Sequence, residues 1–216
     1  MIDKQKIWEK FTTLDDRGIS LMTPLVVSKS KKTLYLHIAK TGGSSVSKEL
    51  ISQGFDDMVL TNKKLDLDSK LKYFEEVVDD WESYYKFTFV RNKYDQLVSL
   101  YYYDFNANLL NRESFDKFIL ERVKNSISEY GTWIDQHYLT VVDEELIFDK
   151  VGLTKSHTQD LETIFSTIGI TPKGLIENKG SYDRSKPTSY YYTDIIKETV
   201  DQKFKEEIEY FKWELH

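Results

Sequence analysis

The sequence predicts an α/β fold with a mainly parallel sheet, and three observations predict it. Short apolar runs rich in β-formers recur along the chain, each is followed by apolar residues at helical spacing, and no Ser/Gly-rich linker separates the units. At 216 residues the chain is read as one domain over 1–216, with 1–30 as a lead-in and 181–216 as a C-terminal loop and helix.

The first strand is read over residues 33–38, TLYLHI, after the basic stretch of Lys29, Lys31 and Lys32. AKTGGSS follows, then Val46, Leu50 and Ile51 at helical spacing, with Gly54 as the stop. Residues 66–80 read as a highly charged helix, and residues 85–90, YKFTFV, as a second buried strand. Asn92 suits a helix N-cap, and Tyr94, Leu97, Val98, Tyr101, Tyr102 and Phe105 share one face of the helix beyond it. Phe115, Phe118, Ile119 and Val123 mark another helix, and ELIFDKV at 145–151 a third buried strand. Leu161, Ile164, Phe165 and Ile168 give the helix after it; Val200, Phe204, Ile208 and Phe211 give one at the C-terminus. Ligands of such sheets sit at the C-terminal ends of the strands.

Composition narrows the chemistry. There is no cysteine, which excludes a disulfide scaffold, a thiolate zinc site and a cysteine nucleophile. Four scattered histidines argue against a dedicated metal site. Thirty-six acidic against 30 basic residues give a net charge of −6, which disfavours bulk nucleic-acid binding. No stretch approaches the ~20 apolar residues of a membrane span, and the charged start MIDKQKIWEKF has no apolar signal region, so a cytoplasmic location is expected.

Two constellations stand at the predicted strand ends. In KTGGSS, Gly42 and Gly43 let backbone amides approach a ligand, the next helix points its positive end there, and Lys40, Thr41, Ser44 and Ser45 add charge and hydroxyls. The alternative is a plain turn with a serine cap. The order G-x-x-x-x-G-K-[ST] of nucleotide triphosphatases is missing, because Lys40 precedes the glycines. Arg91 at the second strand end and Ser99 two turns into its helix suit a phosphate; alternatively Arg91 pairs with Asp95 and Ser99 is solvated.

LHIAKTGGSSV and WESYYKFTFVRNKYDQLVSLYYY resemble the H-I-P-K-T-G-G-T-S loop and the W-x-S-Y-F-K-F-x-F-V-R-N-P-x-D-R-x-V-S-x-Y segment of sulfotransferases of the carbohydrate type, the sulfotransferase 2 family. The resemblance implies a P-loop-like three-layer domain with a mainly parallel central sheet flanked by helices. It implies a donor, 3′-phosphoadenosine-5′-phosphosulfate, a hydroxyl-bearing acceptor that is a saccharide or another small molecule, and no metal. By matching position it assigns Lys40, Thr41, Gly42, Gly43, Ser44 and Ser45 to the 5′-phosphosulfate, and Arg91 and Ser99 to the 3′-phosphate, with Lys40 also catalytic.

Ala39 and Lys93 stand where the pattern has proline, and Gln96 where arginine is common. Many relatives carry a histidine base upstream of the tryptophan matching Trp81; the corresponding position here is Asp66, otherwise an ordinary aspartate at a helix start. His37 is expected to serve behind the loop, with His137, His157 and His216 as remoter imidazoles, and Arg184 or Lys186 could close over the nucleotide. A small-molecule kinase with an atypical phosphate loop, or a non-catalytic nucleotide-binding relative, are the alternative functions.

Overall fold

In a computed structural model the structure describes residues 3–14, 20–22, 25–57, 67–106, 113–124, 134–174 and 186–216. Its centre is a five-stranded sheet in the order β5-β3-β4-β6-β9, built from Leu25–Ser28 (β3), Thr33–Leu36 (β4), Asp56–Asp57 (β5), Tyr85–Val90 (β6) and Lys150–Leu153 (β9). β4, β6 and β9 pair in parallel, while β3 runs against both β4 and β5, so four of the five strands point one way. Two further hairpins stand apart from this sheet: Thr12–Leu14 (β1) with Ser20–Met22 (β2), and Val141–Val142 (β7) with Glu145–Leu146 (β8).

The alternation of side chains along the strands builds the layers. Tyr35, Phe87, Phe89 and Val26 face Gly43–Ser52 (α2) and His157–Thr167 (α7), whose Val46, Leu50, Leu161, Ile164 and Phe165 complete one core. Leu25, Val27, Leu34, Leu36 and Val90 face the opposite way, against Ile7 and Phe11 of Lys4–Phe11 (α1) and Phe74, Val77 and Val78 of Leu67–Asp79 (α3). A third core joins Tyr94, Leu97 and Val98 of Lys93–Asn106 (α4) to the helical segment Phe115–Val123 (α5) and to Ile196, Val200 and Phe204. The last three belong to Asp194–Lys203 (α8) and its junction with Lys205–Phe211 (α9). No helix among the described residues is long and apolar enough to cross a membrane.

Three expectations are corrected. The third parallel strand is 150–153, not 145–151: Glu145 and Leu146 fold back on Val142 and Val141 through Asp143 and Glu144, both at positive φ (50° and 65°). That is the backbone of a two-residue hairpin turn without its usual Asn-Gly or Asp-Gly signature. The C-terminal helix is two, α8 and α9, interrupted at Phe204. The expected lead-in supplies a helix of one core and, as β3, a strand of the main sheet.

Candidate functional site

The ends of β4, β6 and β9 lie side by side, and each strand runs through a short turn into a helix, α2, α4 and α7 respectively. Between β4 and α2 the chain turns sharply: Lys40 sits at φ 64° and Gly42 at φ 85°, both left-handed. Gly42 is also the N-cap of α2, and as a glycine it brings no side chain to cap that helix end. Gly43 is glycine for a steric reason, because a Cβ there would lie 2.1 Å from His37 Cδ2 and 2.5 Å from Tyr35 Oη.

Beneath the turn lie buried polar groups. Thr41 is fully buried and donates through Oγ1 to the Ile38 carbonyl at 2.8 Å. Thr154 Oγ1, at the end of β9, is 3.1 Å from the carbonyl oxygens of both Thr41 and Val90, tying the three strand ends together. Tyr35 Oη is buried without a hydrogen-bond partner among the described residues, and burial pushes its phenol far above the usual range. His37 stacks on Tyr35, with Nδ1 3.4 Å from Ser47 Oγ. His157, the first residue of α7, lies against the Phe89 ring and beside Gly42; its Nε2 is buried without a hydrogen-bond partner among the described residues, and burial lowers its pKa.

The two constellations meet. Arg91 Nη1 donates to the Lys40 carbonyl at 3.3 Å, while the proposed partner Asp95 instead accepts from Thr188. Lys40 Nζ lies 4.3 Å from the ring centre of Tyr103, an aromatic that is 55% exposed. Ser44 is exposed and Ser45 buried at the start of α2. Ser99 is only 4% exposed, so it is packed within the protein and not on a solvated flank. Asn92 caps α4 as expected, its Oδ1 accepting from the Tyr94 amide at 3.0 Å.

Asp66 lies outside the described residues, as does Arg184. Lys186 stands over the ring of Tyr190, and His137 is 3.8 Å from Glu206 with Tyr210 against its ring. Among the described residues no group of three or more His, Asp or Glu is placed to hold a metal ion.

Sequence reasoning missed a buried polar group at the end of β6. Gln136, in Gln136–Thr140 (α6), holds both backbone groups of Arg91: its Oε1 accepts from the Arg91 amide at 2.6 Å, and its Nε2 donates to the Arg91 carbonyl at 2.7 Å. Lys93, read as a mere proline replacement, is wholly buried and paired with buried Glu207 of α9 at 2.9 Å. One signal was available, since a cation in the first turn of a helix opposes the helix dipole and must find another partner.

The charge state of His37 makes a measurable difference. Burial and, second, the charge of Lys40 lower its pKa from 6.5 to about 4, so it is neutral at pH 7. Between those values the folded protein binds fewer protons than the unfolded chain, so stability is full above pH 6.5 and falls as the pH drops toward 4. The expected loss from this group between pH 7 and pH 5 is about 2 kcal/mol. Urea unfolding at the two pH values measures it, and His37→Phe should remove most of that difference; an unchanged difference in the variant would contradict the assignment.

Set against family models, curated proteins and solved structures, the chain matches none.

Proposed function

We propose that this chain is a sulfotransferase that moves the sulfuryl group of 3′-phosphoadenosine-5′-phosphosulfate to a hydroxyl of a saccharide or other small acceptor. The observation that carries the reading is the 3.3 Å hydrogen bond from Arg91 Nη1 to the Lys40 carbonyl. It brings a guanidinium and a glycine-capped helix start to one sheet edge, which suits a nucleotide with separate 3′- and 5′-anionic groups. The left-handed Gly42 and the Cβ-free Gly43 fit a backbone cradle for the 5′-phosphosulfate.

Sulfuryl transfer is an in-line displacement. The acceptor oxygen bonds to sulfur as the bond from sulfur to the bridging oxygen breaks, and adenosine 3′,5′-bisphosphate leaves. Charge grows on the bridging oxygen, where the Lys40 ammonium and the amides of Gly43 to Ser45 would stabilise it without having to reorganise. Arg91 holds the 3′-phosphate with Ser99, and Asp66 takes the acceptor proton by its place in the resemblance.

The test is thermal unfolding with adenosine 3′,5′-bisphosphate, with adenosine 5′-phosphate and with ATP plus magnesium as comparisons. At about 100 times its dissociation constant, the bisphosphate should stabilise the protein by about 2.7 kcal/mol. Adenosine 5′-phosphate should do worse, since it has no 3′-phosphate to offer Arg91. No shift at millimolar bisphosphate, or a larger one with ATP and magnesium, would refute the reading.

A further inference from the structure

We infer that Gln136, held by Glu207, is a positioning residue that fixes Arg91 for recognition of the nucleotide 3′-phosphate; the inference rests on the function proposed above. β6 ends at Val90, so the amide and carbonyl of Arg91 lie just past the sheet ladder, and the Gln136 carboxamide binds both of them. A carboxamide has one acceptor oxygen and two N–H donors. Here the oxygen takes the Arg91 amide, one donor goes to the Arg91 carbonyl, and the other goes to Glu207 Oε1 at 2.5 Å. The backbone amide of Gln136 donates to Glu207 Oε2 at 2.7 Å, so the carboxylate grips both the side chain and the main chain of this residue.

Glu207 is in turn fixed by Lys93. The Lys93 ammonium has three donors, and three acceptors surround it: Glu207 Oε2 at 2.9 Å, the Ile134 carbonyl at 2.6 Å and Gln96 Oε1 at 2.7 Å. Gln96 passes the chain on to the Ala39 carbonyl at 2.8 Å, next to Lys40. Both charged side chains have no exposed surface. A buried ion pair of this kind is often no more stabilising than apolar residues of the same volume, so stability alone does not account for it. What the network specifies is geometry. It holds a residue of α9 to the backbone of Arg91, whose guanidinium meets the Lys40 turn.

The variant Gln136→Met keeps the length of the side chain and removes the clamp, leaving the Lys93–Glu207 pair in place. Isothermal titration of the full chain with adenosine 3′,5′-bisphosphate and with adenosine 5′-phosphate reads the 3′-phosphate preference as a ratio of dissociation constants. That preference should shrink roughly tenfold, with adenosine 5′-phosphate binding changed by less than about threefold. A merely structural role would weaken both nucleotides alike or leave both unchanged, and a preference within about twofold of wild type in folded Gln136→Met overturns the inference. Should that variant not fold, Glu207→Gln, which keeps the side-chain shape, is read by the same ratio and the same criterion. A wild-type chain with no preference for the bisphosphate refutes the sulfotransferase reading itself, a result distinct from a preference that survives the substitution.

Discussion

Replacing Lys40 with alanine is expected to lower sulfuryl transfer by ~10²- to 10³-fold while leaving the fold and most of the nucleotide affinity in place. The reason lies in where the charge develops. In the proposed reaction the donor already carries its anionic oxygens in the ground state, where the backbone cradle and Arg91 would serve them; in the transition state the bridging oxygen gains charge, and the Lys40 ammonium, just past the end of β4, would answer that gain. The side chain is partly exposed, and its described contact is with the exposed ring of Tyr103 at 4.3 Å. Losing that cation–π contact should cost no more than about 1 kcal/mol. The left-handed backbone at position 40 is no worse for alanine than for lysine, since both carry a Cβ. Steady-state turnover with 3′-phosphoadenosine-5′-phosphosulfate and titration with the bisphosphate product separate the two effects. Near-normal turnover in Lys40→Ala would remove the residue from the chemistry, and a fall in product affinity as large as the fall in rate would make it a binding residue only.

The elements around this site were legible in unequal measure. The span 85–90 coincides with β6, because a continuous run of β-formers ends in a turn whose Asn92 supplies a side-chain cap, and local chemistry marks both boundaries. The Lys40 turn was legible for the same reason: its glycines are required by φ at position 42 and by crowding at position 43, and such constraints act within a few residues.

β3 was not legible. Four residues, flanked by a hairpin and a basic turn, carry too little pattern to announce a sheet strand, and their burial on both faces comes from distant helices. Nor was the partnership of Lys93 with Glu207, which joins residues 114 positions apart (207 − 93) in a pairing that no local rule encodes. Lys93 and Gln96 are two of the departures from the resembled pattern, and the structure gives them a joint explanation: Lys93 Nζ donates to Gln96 Oε1, and the first reaches Glu207 while the second reaches Ala39. A substitution that looks neutral in a motif can thus be half of a buried pair.

The second large effect is expected from Gly43→Ala, which adds a single methyl group at the first residue of α2. In isolation alanine favours the helix over glycine by up to about 1 kcal/mol, so propensity alone predicts a more stable protein. Packing predicts the reverse. The new Cβ would fall 2.1 Å from His37 Cδ2, 2.5 Å from His37 Nε2 and 2.5 Å from Tyr35 Oη, all inside contact distance. Neither ring can move away cheaply: Tyr35 is fully buried and stacks on Phe87 at 4.9 Å, and His37 stacks on Tyr35 in turn. Overpacking of this kind costs typically 1–3 kcal/mol, and the alternative to straining the rings is to lift the turn that carries the cradle amides. The net expectation is destabilisation by about 1–2 kcal/mol, together with at least roughly a tenfold loss of affinity for adenosine 3′,5′-bisphosphate. Gly54→Ala is the control. Its backbone is left-handed, φ 87°, as that of Gly43 is not, and no atom among the described residues lies within 4 Å of the added methyl, so it should lose stability through backbone strain and keep its nucleotide affinity. If the crowding by His37 is the cause, truncating that ring in Gly43→Ala/His37→Ala should restore part of the affinity, giving a coupling of the sign that a relieved clash requires. Wild-type affinity in Gly43→Ala alone would mean that the space beneath the turn adapts and that position 43 tolerates a side chain.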